Sequence, residues 1–427
     1  MYLFCIDLIV SNTEARFSEL SFIQGCGLKL SYKTRIKCRY IVIKCVKIKN
    51  IKINYVRGDY LKKPYALPFL PIEFDSETEL FFYKKVVTAS AKLEKLKEKL
   101  RYSVVNQSFL ELITLMESVQ STRIEGTQVT FHDMLEDQLD HQDDWEKTEV
   151  RNYQEALAIG IEAVQTGYPL SERLIRQIHE VLMKNARGSS GAAGNYRRVQ
   201  NFIGPTNQLK DAAYIPPEPQ LMDQYMTNLE RFINGNPYAE EQLDELHPLI
   251  KSAIIHAQFE SIHPFLDGNG RLGRILIVLY LLQSKLIETP YFFLSEELER
   301  EKFKYYALLN GVRGIGKPVP DWKSWISFFL DATIKMAGHQ YDKLNQAEEL
   351  YQSGLARLAQ PSTQKVWRAM FNSPIADVKQ LEILTGLAPV TIRQSLKQLV
   401  QQNMVFGNDR QRNRRYYLYD LIGIMKD

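Results

Sequence analysis

His263-Pro264-Phe265-Leu266-Asp267-Gly268-Asn269-Gly270-Arg271-Leu272-Gly273-Arg274 is the stretch on which the reading of this chain turns. The apolar residues 253–262 before it have helix character and deliver His263 to a loop stiffened by Pro264. Glycines on both sides of Asn269 let the backbone curl so that successive N–H groups converge, forming an anion nest. A helix opens at once, and its N-terminal amides and dipole add to that nest. Arg271 and Arg274, three residues apart, share a face of its first turn and carry forked donors for phosphate oxygens. Asp267 is the one carboxylate of the loop, suited to Mg2+, a hard ion that takes oxygen ligands. A base, a metal carboxylate, an anion hole and two arginines describe a nucleoside triphosphate held for phosphoryl-type transfer.

Other readings of the same letters are weaker. Residues 268–273 also spell GxGxxG, but that dinucleotide fingerprint needs a β-strand before it, and the preceding residues read as helix. No Gly-rich loop is followed by GK[ST], so a Walker loop is absent. His256 and His263 are seven apart without an HExxH pattern, which argues against a zinc pair. His179, His247 and His256 are read as structural.

The twelve residues resemble the HPFx[DE]GNGRxxR signature of Fic domains, with every fixed position present. The resemblance continues through Glu149-Val-Arg-Asn-Tyr153, Gly194-Asn-Tyr-Arg197, Gln200-Asn-Phe-Ile-Gly204, Tyr214-Ile-Pro-Pro217 and Asp321-Trp-Lys-Ser-Trp325. It runs from about Lys63 to the C-terminus. It implies a helical bundle with a short β-hairpin flap, and protein adenylylation, with AMP passing from ATP to a Ser, Thr or Tyr hydroxyl and pyrophosphate leaving. On that reading His263 is the general base and Asp267 holds Mg2+. Gly268, Asn269 and Gly270 stabilise the phosphates, Arg271 binds the α/β region and Arg274 the γ-phosphate. The flap at about 201–216 takes a target segment by strand addition through Ile203, Gly204 and Tyr214, where Ile203 and Tyr214 clamp the target or simply pack. Tyr305, Tyr306 and Leu309 lie where an adenine pocket would be, with core packing open for Tyr305.

Ser121-Thr-Arg-Ile-Glu125-Gly126 is similar to the family's inhibitory pattern [ST]xxxE[GN]. Ser121 and Glu125 are one helical turn apart, and a carboxylate set beside Arg274 would displace the γ-phosphate. Some relatives use that glutamate to remove AMP, so a reverse reaction stays open.

The net charge of +4 averages unlike segments. Residues 1–63 carry +9, residues 64–360 carry −10 and residues 361–427 carry +5, so positive charge near a nucleotide must be local to the arginines. All four cysteines, Cys5, Cys26, Cys38 and Cys45, fall in the first segment without CxxC spacing. Neither a zinc site nor an exported disulfide framework is indicated. The longest apolar run, residues 275–282, is far short of the roughly 20 residues needed to span a membrane. A cytoplasmic protein without a membrane segment is expected.

Four regions follow: 1–60 as a doubtful extension, 61–145 with the inhibitory helix, 146–340 as the catalytic domain, and 361–427. In residues 36–55, Ile, Lys, Asn and Tyr make up 15 of 20 positions, all with A/T-rich codons. Either this is translated upstream sequence with the natural start near Val56 or Leu61, or residues 46–53 form a half-exposed strand of a real extension. The rest reads as mainly α. Helices are predicted at 76–100, 106–124 with Asn106 as N-cap, 146–165, 171–186, 219–234, 247–261, 271–285, 296–311 and 321–357, with a Gly/Ser/Ala loop at 188–194.

Residues 378–386 and 389–401 read as helix, turn, helix, followed by a small β-wing at 404–419. This resembles a winged helix. Arg410, Arg412, Arg414 and Arg415 suit phosphate contacts, yet the second helix offers only Arg393 and Lys397. DNA binding stays open beside protein docking or dimerisation. The expected partners are ATP, a target protein and a second copy of the chain. The competing reading is a DNA-binding regulator whose Fic part only senses nucleotide; intact His263, Arg271 and Arg274 favour the enzyme.

Overall fold

The structure is a computed structural model. It describes residues 9–11, 40–42 and 63–426, except 141–143, 187–191, 205, 207, 236–245, 318 and 411. Two compact units separate at Met1–Leu61 and Lys62–Asp427. In the first, β1 (Ile9–Ser11) pairs antiparallel with β2 (Tyr40–Val42). The four cysteines, residues 46–53 and part of the 188–194 loop lie outside the described residues.

The second unit is mainly α, as expected. Helix α1 (Ser76–Tyr102) starts where Asp75 accepts from the Thr78 N–H at 2.7 Å, with Glu77 and Glu79 in its first turn and Lys99 and Arg101 in its last. That charge order complements the helix dipole. Phe82, Val86, Ala89, Leu93, Leu96 and Leu100 recur at three and four residues and are buried. They pack on α11 (Trp322–Ala356). Between these lie α2 (Asn106–Ile124), α3 (Phe131–Asp137), α4 (Trp145–Gln165), α5 (Glu172–Leu182), α6 (Met222–Asn234), α7 (Pro248–Ile262), α8 (Asn269–Gln283), α9 (Ser295–Arg300) and α10 (Lys302–Val312).

Helices α7 and α8 are buried along nearly their whole lengths and pack on each other, with α4, α5, α6, α10 and α11 around them. Apolar on all faces, they form the centre of the bundle. The loop joining them and the first turns of α8 carry the signature, so the fold sets His263 and Arg274 at the buried centre of the bundle.

Several expectations need correction. Asn106 is the first helical residue of α2; the cap is Val105, which offers no side-chain bond. The fifth helix stops at Leu182, and α8 begins at Asn269 because Gly268 takes the left-handed cap conformation (φ 77°). The 296–311 helix is two, broken at Glu301. Helix α3 was not expected, though Thr130 and Asp133 form a capping box at its start. Among its described residues the flap holds a single bridge, Ile203 with Tyr214, closed by a short turn at Leu209–Asp211.

The C-terminal residues form α12 (Pro361–Asn372), β3 (Ile375–Ala376), α13 (Val378–Thr385), α14 (Pro389–Gln401), β4 (Phe406–Gly407), β5 (Tyr416–Tyr417) and α15 (Tyr419–Lys426). The helix-turn-helix is present, with Gly386 left-handed (φ 64°) in its turn. The sheet has the order β3-β5-β4, all antiparallel. Strands β4 and β5 lie within the expected wing, and α15, which was not expected, follows from its last residue, Tyr419. Arg415, expected for phosphate contacts, is buried and paired with Glu136 (3.1 Å) and Asp140, and the Tyr417 hydroxyl donates to Glu136 at 2.9 Å. Ser108 of α2 bonds Asn372 of α12, so this module grips both α2 and α3. Among the described residues no helix is long and apolar enough to cross a membrane.

Gly354 faces the Trp367 ring, which a methyl group there would strike. Gly354→Ala gains about 1 kcal/mol of helix propensity but overpacks the α11–α12 contact at a cost of about 1–3 kcal/mol. A lower urea midpoint than wild type is expected in chemical unfolding.

Candidate active site

His263 ends α7 in a left-handed conformation (φ 50°, ψ 60°), with its N–H donating to the Phe259 carbonyl at 2.9 Å. Its Nδ1 is buried without a partner among the described residues. Burial first, then the Arg313 charge, pushes its pKa down to about 3. The imidazole is therefore neutral at ordinary pH.

Asn269 closes the loop on itself: its side-chain oxygen accepts from the Phe265 N–H and its amide donates to the Phe265 carbonyl, both at 2.9 Å. Both side-chain polar groups, expected on phosphate, are thus occupied within the loop. Gly268 is required twice over, by its positive φ and by Met183 Sδ, 2.7 Å from where a Cβ would sit. Asp267 lies at the solvent edge, its side chain 55% exposed and its Oδ1 accepting from the Gly268 N–H at 2.6 Å.

The two signature arginines are both buried. Arg271 pairs with Glu149 at 3.1 Å and reaches Met183 Sδ at 3.6 Å. Arg274 donates from Nε to Ser121 Oγ (2.8 Å), and from Nη2 to the Ser121 carbonyl (2.9 Å) and Glu125 Oε1 (2.6 Å). Helix α2 thus brings both expected inhibitory residues onto Arg274. A methyl group on Gly270 would collide with Glu125 Oε1, so the carboxylate sits in the mouth of the nest. Burial opposes its charge, but Arg274's charge and hydrogen bond outweigh burial and hold the Glu125 carboxyl below its ordinary pKa.

The expected adenine and target residues divide. The Tyr305 hydroxyl meets His256 Nε2 at 2.9 Å and the side chain is buried, so it belongs to the core. Tyr306 is 37% exposed on the rim, with its ring 5.1 Å from that of Tyr305. Tyr214 is also buried, its hydroxyl donating to the Ser261 carbonyl at 2.7 Å. It packs at the flap's base, the second of the two roles open to it. Ile203 and Gly204 remain partly accessible on the flap.

Other contributors were missed. His179, read as merely structural, accepts from the Gly194 N–H at Nδ1 (2.9 Å). Its proton therefore sits on Nε2, which donates to the Asp267 carbonyl at 3.0 Å. Stacked on Phe265 with centroids 3.7 Å apart, it pins the signature loop. Glu117 accepts from the Tyr153 hydroxyl (2.9 Å), the Ser295 hydroxyl (2.5 Å) and the Ser295 N–H (3.1 Å), fixing α2 to α4 and α9. Glu260 is buried beside Gly273, and burial pushes its pKa up to about 7.

Burial lowers the pKa of His179 to about 4 and of His256 to about 3. Their folded values lie below the unfolded value, so the unfolded chain binds more protons on acidification. Stability from these groups is complete above about pH 6.5 and is lost toward pH 4, on the order of 1–2 kcal/mol each by pH 5. The raised carboxyls of Glu260, Glu117 and Glu172 work the other way, while His263 and His247, also lowered by burial, add to the loss on acidification. Urea midpoints at pH 7 and pH 5 check this: the lower midpoint is expected at pH 5.

Residues 83–162 match the Fic/DOC family N-terminal region and residues 169–281 the Fic/DOC family itself. A probable protein adenylyltransferase of Aquifex aeolicus is 30% identical over 209 residues, 48% of this chain and 57% of that one. The protein adenylyltransferase Fic of Drosophila erecta is 32% identical over 110 residues, 26% of this chain and 19% of that one. The chain thus spans 57% or less of the length of these relatives. A solved Fic family protein from Desulfovibrio desulfuricans G20 aligns over 82% of this chain and 98% of its own, at 21% identity and a TM-score of 0.48. The two family regions follow one another in order, and the second contains the complete signature loop: residues 83–162 and 169–281 of this chain form a Fic/DOC family region.

Proposed function

We propose that this chain is a protein adenylyltransferase, held off by its own Glu125. A Ser, Thr or Tyr hydroxyl of a target protein, or of the chain itself, attacks the α-phosphorus of ATP. The new O–P bond forms as the bond to the β-phosphate oxygen breaks and pyrophosphate leaves. His263, neutral and with an unpartnered Nδ1, takes the hydroxyl proton. The Gly268–Gly270 amides and the start of α8 face the phosphate oxygens as charge moves to the leaving group. Arg274 receives the γ-phosphate once Glu125 has left, and Arg271, steadied by Glu149, the inner phosphates. Asp267, a solvent-edge carboxylate, suits the hard Mg2+ that accompanies ATP, which would neutralise phosphate charge when bound. Tyr306 and Leu309 are the candidates for the adenine side, and Ile203 and Gly204 for the target's backbone.

The observation that supports this most is the carboxylate of Glu125 in the nest and on Arg274. It marks an anion site by occupying it. The test is Glu125→Gly protein with ATP, Mg2+ and cell lysate, read by mass spectrometry. AMP adducts on hydroxyl side chains are expected; their absence with folded protein would end the reading.

A further inference from the structure

The last carbonyls of a helix have no partners within it, and at the end of α7 they present the proposed base. Their partners can be counted. The Phe259 carbonyl takes the His263 N–H (2.9 Å). The Glu260 carbonyl takes Arg313 Nη2 (2.9 Å), and that of Ser261 takes the Tyr214 hydroxyl (2.7 Å). The Ile262 and His263 carbonyls take Arg197, from Nη2 (3.4 Å) and Nε (2.9 Å). Each bond after the first comes from outside the helix.

The same three side chains hold the base of the flap. Arg197 Nη2 also donates to the Pro217 carbonyl (2.5 Å) and Nη1 to that of Val199 (3.5 Å), while its own N–H donates to the Pro264 carbonyl (2.9 Å). The Arg313 guanidinium lies 4.3 Å from the centre of the Tyr214 ring, and Tyr214 bridges to Ile203 across the flap. Both arginines are buried, and neither forms an ion pair with a carboxylate of a described residue. A buried guanidinium serving carbonyls in place of a carboxylate leaves its positive charge facing the helix end, where the dipole favours it.

We propose that Arg197, Arg313 and Tyr214 are positioning residues that join the base of the flap to the turn presenting His263. Seating a target segment on the flap then also sets the imidazole for proton removal. The charged groups facing His263 are Arg313 and Arg197, which oppose its protonation, and Glu125, which favours it, as does the backbone of Glu260. Removing Arg313 therefore raises the pKa of His263, so activity is lost at a higher pH on acidification.

The proposal rests on His263 being the base, and the experiment separates the two. In Glu125→Gly protein, self-labelling is followed with ATP labelled on its α-phosphate, at saturating and graded ATP, from pH 5 to 8. Arg197→Lys keeps the charge but cannot reach several carbonyls at once. It is expected to lower the saturated rate at least tenfold, with half-saturating ATP changed less than twofold. Arg313→Gln is expected to move the acid limb to higher pH, which a merely structural role would not do. Tyr214→Phe, losing one hydroxyl, should lower the rate about 2- to 10-fold. If Arg197→Lys does not fold, the other two carry the test. Rates within twofold of the parent and an unmoved pH profile, with His263→Ala inactive, would overturn the positioning role alone. Labelling that survives His263→Ala would overturn both readings.

Discussion

Glu125→Gly is expected to raise self-labelling from α-phosphate-labelled ATP by on the order of 10- to 100-fold. The size follows from the contact removed. Arg274 is buried and donates to Glu125 at 2.6 Å. A charge-assisted bond contributes about 1.5–3 kcal/mol, and each 1.4 kcal/mol is tenfold in the population whose arginine is free for phosphate. The Glu125 side chain is 34% exposed, so the lower part of that range is the better expectation. Glu125 caps α2 with right-handed helical angles (φ −84°, ψ −4°), which glycine adopts without strain. Glu125→Gln is the control: it keeps the bulk and loses the charge, and it should release activity partly. Activity unchanged in both would remove the brake. Because Arg274 holds the Glu125 carboxyl below its ordinary pKa, the pair is lost only as pH falls through that lowered value. Acidification to pH 5 should not release wild-type protein.

How far this site could be read from the letters depends on what holds each residue. The signature loop was legible because its geometry is local: Gly268 must be left-handed, Asn269 reaches only to Phe265, and α8 starts beside both. Ser121 and Glu125 were legible as a spacing, but that they meet Arg274, 153 and 149 positions away, is a matter of how α2 packs on α8. For Tyr305 and Tyr214 the letters left packing and binding open for the same reason. A tyrosine in an amphipathic stretch reads alike whether its hydroxyl meets solvent or, as here, His256 and the Ser261 carbonyl. Arg415 reads as a wing arginine until α3 and the turn after it supply Glu136 and Asp140. Helix α3 itself was hidden by its length, seven residues, too few for a periodic pattern to emerge.

His263→Ala, made in the Glu125→Gly background so that the starting rate is high, is expected to lower self-labelling by about 10²- to 10⁴-fold, the usual contribution of a general base. Retained ATP binding is expected, since the nest and both arginines are untouched. An imidazole whose pKa is pushed down to about 3 is always available to accept a proton but is a weak base. Bound ATP corrects that: phosphate charge beside His263 favours the imidazolium and raises its pKa toward the working range. Losing Glu125 has the opposite sign, because that carboxylate is among the groups now raising it. The released enzyme should therefore show an acid limb in its saturated rate, set by the ATP-bound imidazole. That limb vanishes in His263→Ala along with the activity. A pH-rate profile at saturating ATP measures it. Labelling by His263→Ala within tenfold of its parent, on correctly folded protein, would move the base elsewhere. The next candidate would be Glu260, buried three residues earlier on the same helix with its pKa near 7.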